Sequence, residues 1–74
     1  MEGPIVTLVG GIYTLGLWLF DSKDYQITIM KYTDGEMKYH DTLYPQCESG
    51  DDLLYHAIGW FKERCIPWKI AEKD

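Results

Sequence analysis

The rhythm of apolar and polar positions changes once along this chain, close to residue 50. Before that point the pattern has a period of two; after it the period is near 3.6, the signature of an amphipathic helix. Ile5-Val6-Thr7-Leu8-Val9 is short and β-branched, and Gly10-Gly11 behind it is a tight-hairpin signal. Residues 12–20 resume with Tyr, Thr, Trp and Leu, which suit a pleated, half-buried surface. An alternative keeps residues 5–20 as one long bent strand with the glycines at a bulge. Asp21-Ser22-Lys23-Asp24 is a polar turn. Residues 25–32 then alternate, with Tyr25, Ile27 and Ile29 on one side and Gln26, Thr28 and Met30 on the other. Thr33-Asp34-Gly35-Glu36 carries Asp-Gly, the pair that a type I′ turn demands at its two positive-φ positions. Residues 37–44 alternate again, Met37, Tyr39, Asp41 and Leu43 against Lys38, His40, Thr42 and Tyr44.

Pro45 closes the last strand, and Ser49 is placed as a helix N-cap with Asp51 and Asp52 in the first turn. Leu54, Ala57, Ile58, Phe61 and Cys65 form the expected apolar stripe of a helix over residues 53–65, flanked by Leu53 and Trp60. Tyr55, His56, Gly59, Lys62 and Glu63 are expected to face away. Lys62 and Arg64 suit the last turn, Pro67 is the expected stop, and Trp68-Lys69-Ile70 can add a short final strand before a polar tail. The order β-β-β-β-α-β makes one α+β domain over residues 1–74: an antiparallel four-stranded meander with one C-terminal helix packed on one face.

Composition sharpens this picture. A 74-residue chain that is 46% hydrophobic and 15% aromatic is too apolar for a disordered tail and too short for two cores. Residues 5–20 carry no charge, but three glycines and a stretch short of the roughly 17–25 residues of a spanning helix favour a buried hairpin, not a membrane segment. Only Glu2 precedes that run, so an export signal with a basic start is not expected, and a cytoplasmic location is. Cys47 and Cys65 flank the predicted helix, too far apart to be bridged while it is intact, and read as two free thiols. Trp18, Tyr13, Tyr25, Tyr32, Tyr39, Tyr44, Trp60 and Trp68 exceed what one helix can cover. Either several keep one wet edge, which is ordinary for Tyr and Trp, or a second apolar surface binds a partner or a copy of the chain. A homodimer through the free sheet face or an edge strand is therefore expected.

Catalytic chemistry finds little purchase. His40 and Asp41 are strand neighbours and are expected on opposite faces, which separates them as a dyad. Cys47 with His40 or His56 has the residue types of a nucleophile and base but no local signature, so a small cysteine-dependent enzyme stays only as an alternative. Cys47, His56 and Cys65 lack the paired spacing of a zinc site, and Gly10-Gly11 leads into a strand and not into a phosphate-binding helix. No metal and no cofactor is expected.

The charge map says more. Net charge is −5, which disfavours a chain that lives on direct phosphate contacts. Between Lys38 and Lys62 there is no Lys or Arg, yet Asp41, Glu48, Asp51 and Asp52 lie there, with Asp34 and Glu36 nearby. One account is a solvated acidic surface that maintains solubility. The other is a negative surface aimed at a protein partner with a basic surface, with Tyr39, Tyr44, Tyr55 and Trp60 as aromatic anchors. These ten residues are the expected partner-binding set.

A strand meander with the Thr33-Asp34-Gly35-Glu36 hairpin, the Cys47-Glu48-Ser49-Gly50-Asp51-Asp52 lead-in and a helix over residues 53–65 resembles several small acidic phage-encoded anti-CRISPR proteins. The likeness covers the layout of most of the chain and carries over no family residue. It implies a non-enzymatic inhibitor, working in a host-cell cytoplasm, that occludes a nucleic-acid-binding or partner-binding surface of a host defence complex. Small antitoxins of the β-β-β-α type share the element order, although Tyr55-His56 and Trp60-Phe61 depart from their Glu/Ala-rich helix. That second likeness implies an antitoxin or an accessory subunit that stabilises a partner protein.

Overall fold

The computed structural model describes residues 3–71. Strands β1 (Val6–Gly10), β2 (Tyr13–Phe20), β3 (Asp24–Thr33) and β4 (Glu36–Leu43) form an antiparallel meander. Helix α1 (Gly50–Glu63) follows, and β5 (Lys69–Ile70) returns to pair antiparallel with β1, giving the sheet order β4-β3-β2-β1-β5. The fold is α+β, as the change of period implies. The polar tail expected at residues 72–74 lies outside the described residues.

Turn chemistry fixes the register. Asp34 and Gly35 both take positive φ, 54° and 81°, and connect Thr33 to its partner Glu36 as a two-residue I′ loop should. The first hairpin differs from expectation by one residue: its loop is Gly11-Ile12, and Gly10 belongs to β1 opposite Tyr13. Packing explains this. A side chain on Gly10 would collide with the Pro67 carbonyl oxygen and come within 2.9 Å of the Phe61 ring, so Gly10 serves close approach while Gly11 (φ 56°) makes the turn.

One face of the sheet lies under the helix. Leu8, Leu15, Leu17, Ile27 and Ile29 are buried there with Leu53, Ala57 and Phe61, and Tyr25 and Trp60 close the edges. The helix's buried face is Leu53, Ala57, Trp60 and Phe61, rotated from the expected stripe so that Leu54 and Ile58 are only partly covered. Cys65 does not belong to it. The helix stops before Pro67 at a Schellman turn, in which Cys65 takes φ 57° and the Ile66 and Cys65 amides donate back to the Phe61 and Lys62 carbonyls.

Strand β4 also breaks strict alternation. Ile29 faces Asp41 and Met30 faces Tyr39, leaving His40 as the extra residue of a β-bulge. Lys38, Asp41 and Leu43 consequently share the helix side with Lys31, Ile29 and Ile27, while Met37, Tyr39 and Thr42 line the open face. His40 meets the edge of Tyr13 on the helix side at 5.8 Å between ring centroids. His40 and Asp41 are thus on one face, contrary to the alternation reading.

The open face carries Thr7, Gly16, Thr28 and Thr42 in one cross-strand row. Beside it the Trp18 indole lies over Gly16, donates to Thr28 Oγ1 at 2.9 Å and stacks on Phe20 at 5.6 Å. The surplus aromatics are therefore shared between two faces.

Candidate functional site

Helix α1 packs over β2 and β3 and stops short of β4. Residues 36–41 of β4 are exposed on both sides, and only Thr42 and Leu43 are partly covered. The result is an open cleft of about 780 Å³ between the helix and the end of β4. Ile27 and Leu43 lie at its base, Tyr44, Pro45 and Gln46 form one wall, and Asp52, Tyr55, His56, Gly59, Trp60 and Glu63 form the other.

The helical wall has a simple sequence origin. Positions 52, 55, 56, 59 and 63 each lie three or four residues from another of the set, so they make a second stripe beside the buried one. Asp52 is held at its start. Its amide is 3.4 Å from Ser49 Oγ, and its Oδ2 accepts from the Glu48 amide at 2.9 Å, a reciprocal cap. At the other end, Arg64 lays its guanidinium 4.0 Å over the Trp60 ring and donates to the Trp60 carbonyl at 2.9 Å. The same guanidinium lies 3.7 Å from Glu63.

Four of the ten expected partner-binding residues meet in this cleft: Tyr44, Asp52, Tyr55 and Trp60. Tyr44 and Tyr55 are 70% and 75% exposed, whereas Trp60 at 9% shows the cleft little more than an edge. Glu48 and Asp51 are exposed close by on the loop and first turn, and Asp51 lines a separate shallow hollow with Leu54, Tyr55 and Ile58. The remaining four are placed elsewhere. Asp34 and Glu36 sit at the β3–β4 turn, and Asp41 lies on β4 with Oδ1 accepting from the Thr42 amide at 2.8 Å. Tyr39 points to the open face, its hydroxyl 2.6 Å from Thr42 Oγ1. The cleft also brings in Gln46, His56, Gly59 and Glu63, which the expected set does not contain. Helical spacing from Asp52 was the signal that could have found the last three.

Cys47 and Cys65 are both free thiols. Burial, and secondarily the Asp52 charge, push the Cys47 thiol above its ordinary pKa, the opposite of what activates a nucleophile. Among the described residues no group of three His, Cys, Asp or Glu side chains could hold a metal ion, and no helix is long and apolar enough to cross a membrane. The chain matches no known protein family, no curated protein and no solved structure.

Proposed function

We propose that this chain is a non-enzymatic protein-binding module that engages a basic surface of a partner protein through the cleft between α1 and β4. The observation that carries the reading is the meeting of two highly exposed tyrosines, Tyr44 and Tyr55, with the carboxylates of Asp52 and Glu63 around one concave surface. Tyrosine supplies contact area at little entropic cost, and carboxylates on the rim select Lys and Arg. The net charge of −5 adds long-range steering towards such a partner. Where the partner's basic surface normally holds nucleic acid, occupation by this chain excludes it, which is the inhibitory mode of the phage proteins it resembles.

The experiment is capture of a partner on the immobilised chain, followed by binding measurements with Glu48, Asp51 and Asp52 jointly replaced by Ala. Rim charges act mainly on association, so the variant should associate more slowly and lose most of its salt dependence. A carboxylate buried in the complex would add roughly 2–5 kcal/mol through faster dissociation. Asp52 also caps α1, so stability is measured alongside. A folded triple variant that binds with unchanged rate and salt slope would reduce these acids to solvated surface.

A further inference from the structure

Glycine weakens a helix interior more than any residue except proline, because it has the most backbone freedom to lose. Its presence in a strand or helix therefore asks for a neighbour that comes too close for a side chain. Gly10 has the Pro67 carbonyl and the Phe61 ring, and Gly16 has Thr28 Oγ1 at 3.0 Å and the Trp18 indole at 3.1 Å. Gly59 has nothing: a Cβ there would meet no atom within 4 Å. It stands in the middle of the cleft wall, one turn from Tyr55 and one turn from Glu63. No packing among the described residues requires this position to be small.

We infer that Gly59 is the seat for the guanidinium plane of an arginine side chain supplied by a protein partner, held between the Tyr55 ring and the Glu63 carboxylate. This rests on the proposed function and names the group that its cleft recognises. Guanidinium is planar and weakly hydrated, stacks on aromatic faces and forms paired hydrogen bonds with carboxylates. A helix surface without a Cβ lets such a plane lie flat. The neighbouring turn already accommodates one: Arg64 satisfies its guanidinium with the Trp60 ring, a backbone carbonyl and the side of Glu63. Asp52 and Glu63 share the wall with His56, and although Arg64 lies 3.7 Å from Glu63 Oε1, the Glu63 side chain stays 81% exposed. A lysine ammonium is compact and strongly hydrated, and gains less from a ring face.

The test is a titration of ¹⁵N-labelled protein with N-acetyl-arginine methylamide, with the lysine and citrulline analogues as controls. It is run on the unaltered chain and on Gly59→Ala and Gly59→Leu, with urea denaturation of each. Arginine should shift the amides of Tyr55, Gly59 and Glu63 and the Trp60 indole, lysine severalfold more weakly, and citrulline not at all. Gly59→Ala should raise the denaturation midpoint yet weaken arginine binding severalfold, and Gly59→Leu should weaken it at least tenfold. Should Gly59→Leu fail to fold, Gly59→Ala still decides. Unaltered arginine binding in Gly59→Ala, a lowered midpoint for it, or shifts spread over Asp21, Asp24 and Glu48 in place of the cleft would overturn the assignment. The two readings fail separately. Arginine in the cleft beside an unaffected triple-acid variant leaves the seat without the wider acidic surface; an affected triple variant with an empty cleft leaves the surface without the seat.

Discussion

Cys65 holds a left-handed backbone at the position where a Schellman turn ordinarily carries glycine. Its side chain is exposed, so nothing in the packing compensates the crowding of Cβ against the backbone. Cys65→Gly should therefore stabilise the fold by about 0.5–1 kcal/mol, the relief of strain being partly offset by glycine's greater freedom when unfolded. A urea midpoint that rises with an unchanged slope checks it. Cys47 behaves differently. Its thiol keeps its proton to higher pH in the folded chain than in the unfolded one. Whatever stability this contributes is intact below the usual thiol range and declines as pH rises through it, because only the unfolded chain then ionises freely. Iodoacetamide should alkylate Cys65 well before Cys47, and mass-resolved kinetics at rising pH would show the order. Asp34-Gly35 was legible because both residues announce positive φ, whereas a cysteine announces nothing of the kind. The helix is consequently expected to run to residue 65, two residues past its end at Glu63.

At the scale of elements, α1 is defined by its cap more than by its apolar stripe. Ser49 adopts an extended backbone and accepts from the Asp52 amide, and Asp52 reaches back to Glu48. Ser49→Ala should cost about 0.5–1 kcal/mol, at the lower end for such caps because the contact is long. Circular dichroism across a thermal or urea transition reads the loss. This start was legible, since Ser, Asp and Asp stand where a helix beginning wants them. The rotation of the stripe was not. Leu53, Leu54, Ala57, Ile58, Trp60 and Phe61 offer two adjacent apolar faces, and only the sheet beneath decides between them. The bulge at His40 was equally hidden, because an inserted residue shows as a phase shift only where one face is buried, and residues 36–41 are exposed on both faces. Its effect on β4 is substantial: Lys38 and Asp41 share the helix side of an edge strand, and Lys31 directly faces Lys38. Charged side chains and a bulge on an edge strand are devices that discourage further strand pairing.

For the molecule as a whole, those guarded residues move the expectation of self-association away from the β4 edge and onto the open face. There Trp18 and Phe20 stack in parallel, and Phe20 remains 42% exposed. We expect light scattering at high micromolar concentration to give about twice 8.7 kDa, and Phe20→Ser to return it to one chain. A mass of one chain without substitution would leave the stack as wet aromatic surface. Layout, the Asp34-Gly35 turn and the surplus of aromatics were legible from period and composition, whereas the first hairpin loop lies one residue later than Gly10-Gly11 suggests. The cleft was not legible, because it arises where the helix fails to cover the sheet, and no local pattern records an absence of contact.

The pairing of β5 with β1 has a topological consequence. Leu8 lies opposite Ile70, and the Ala71 amide donates to the Thr7 carbonyl at 2.8 Å, so the first and last strands are neighbours. First and last strands that pair at one sheet edge can be linked directly, and the chain reopened at an exposed tip, without changing any contact in the core. A circular permutant joined by a short glycine-serine bridge and cut between Asp34 and Gly35 should keep the urea slope of the parent. It should fold faster, since the most distant strand pair becomes a local one. Reopening between Asp52 and Leu53 would instead sever the helix and give no cooperative transition.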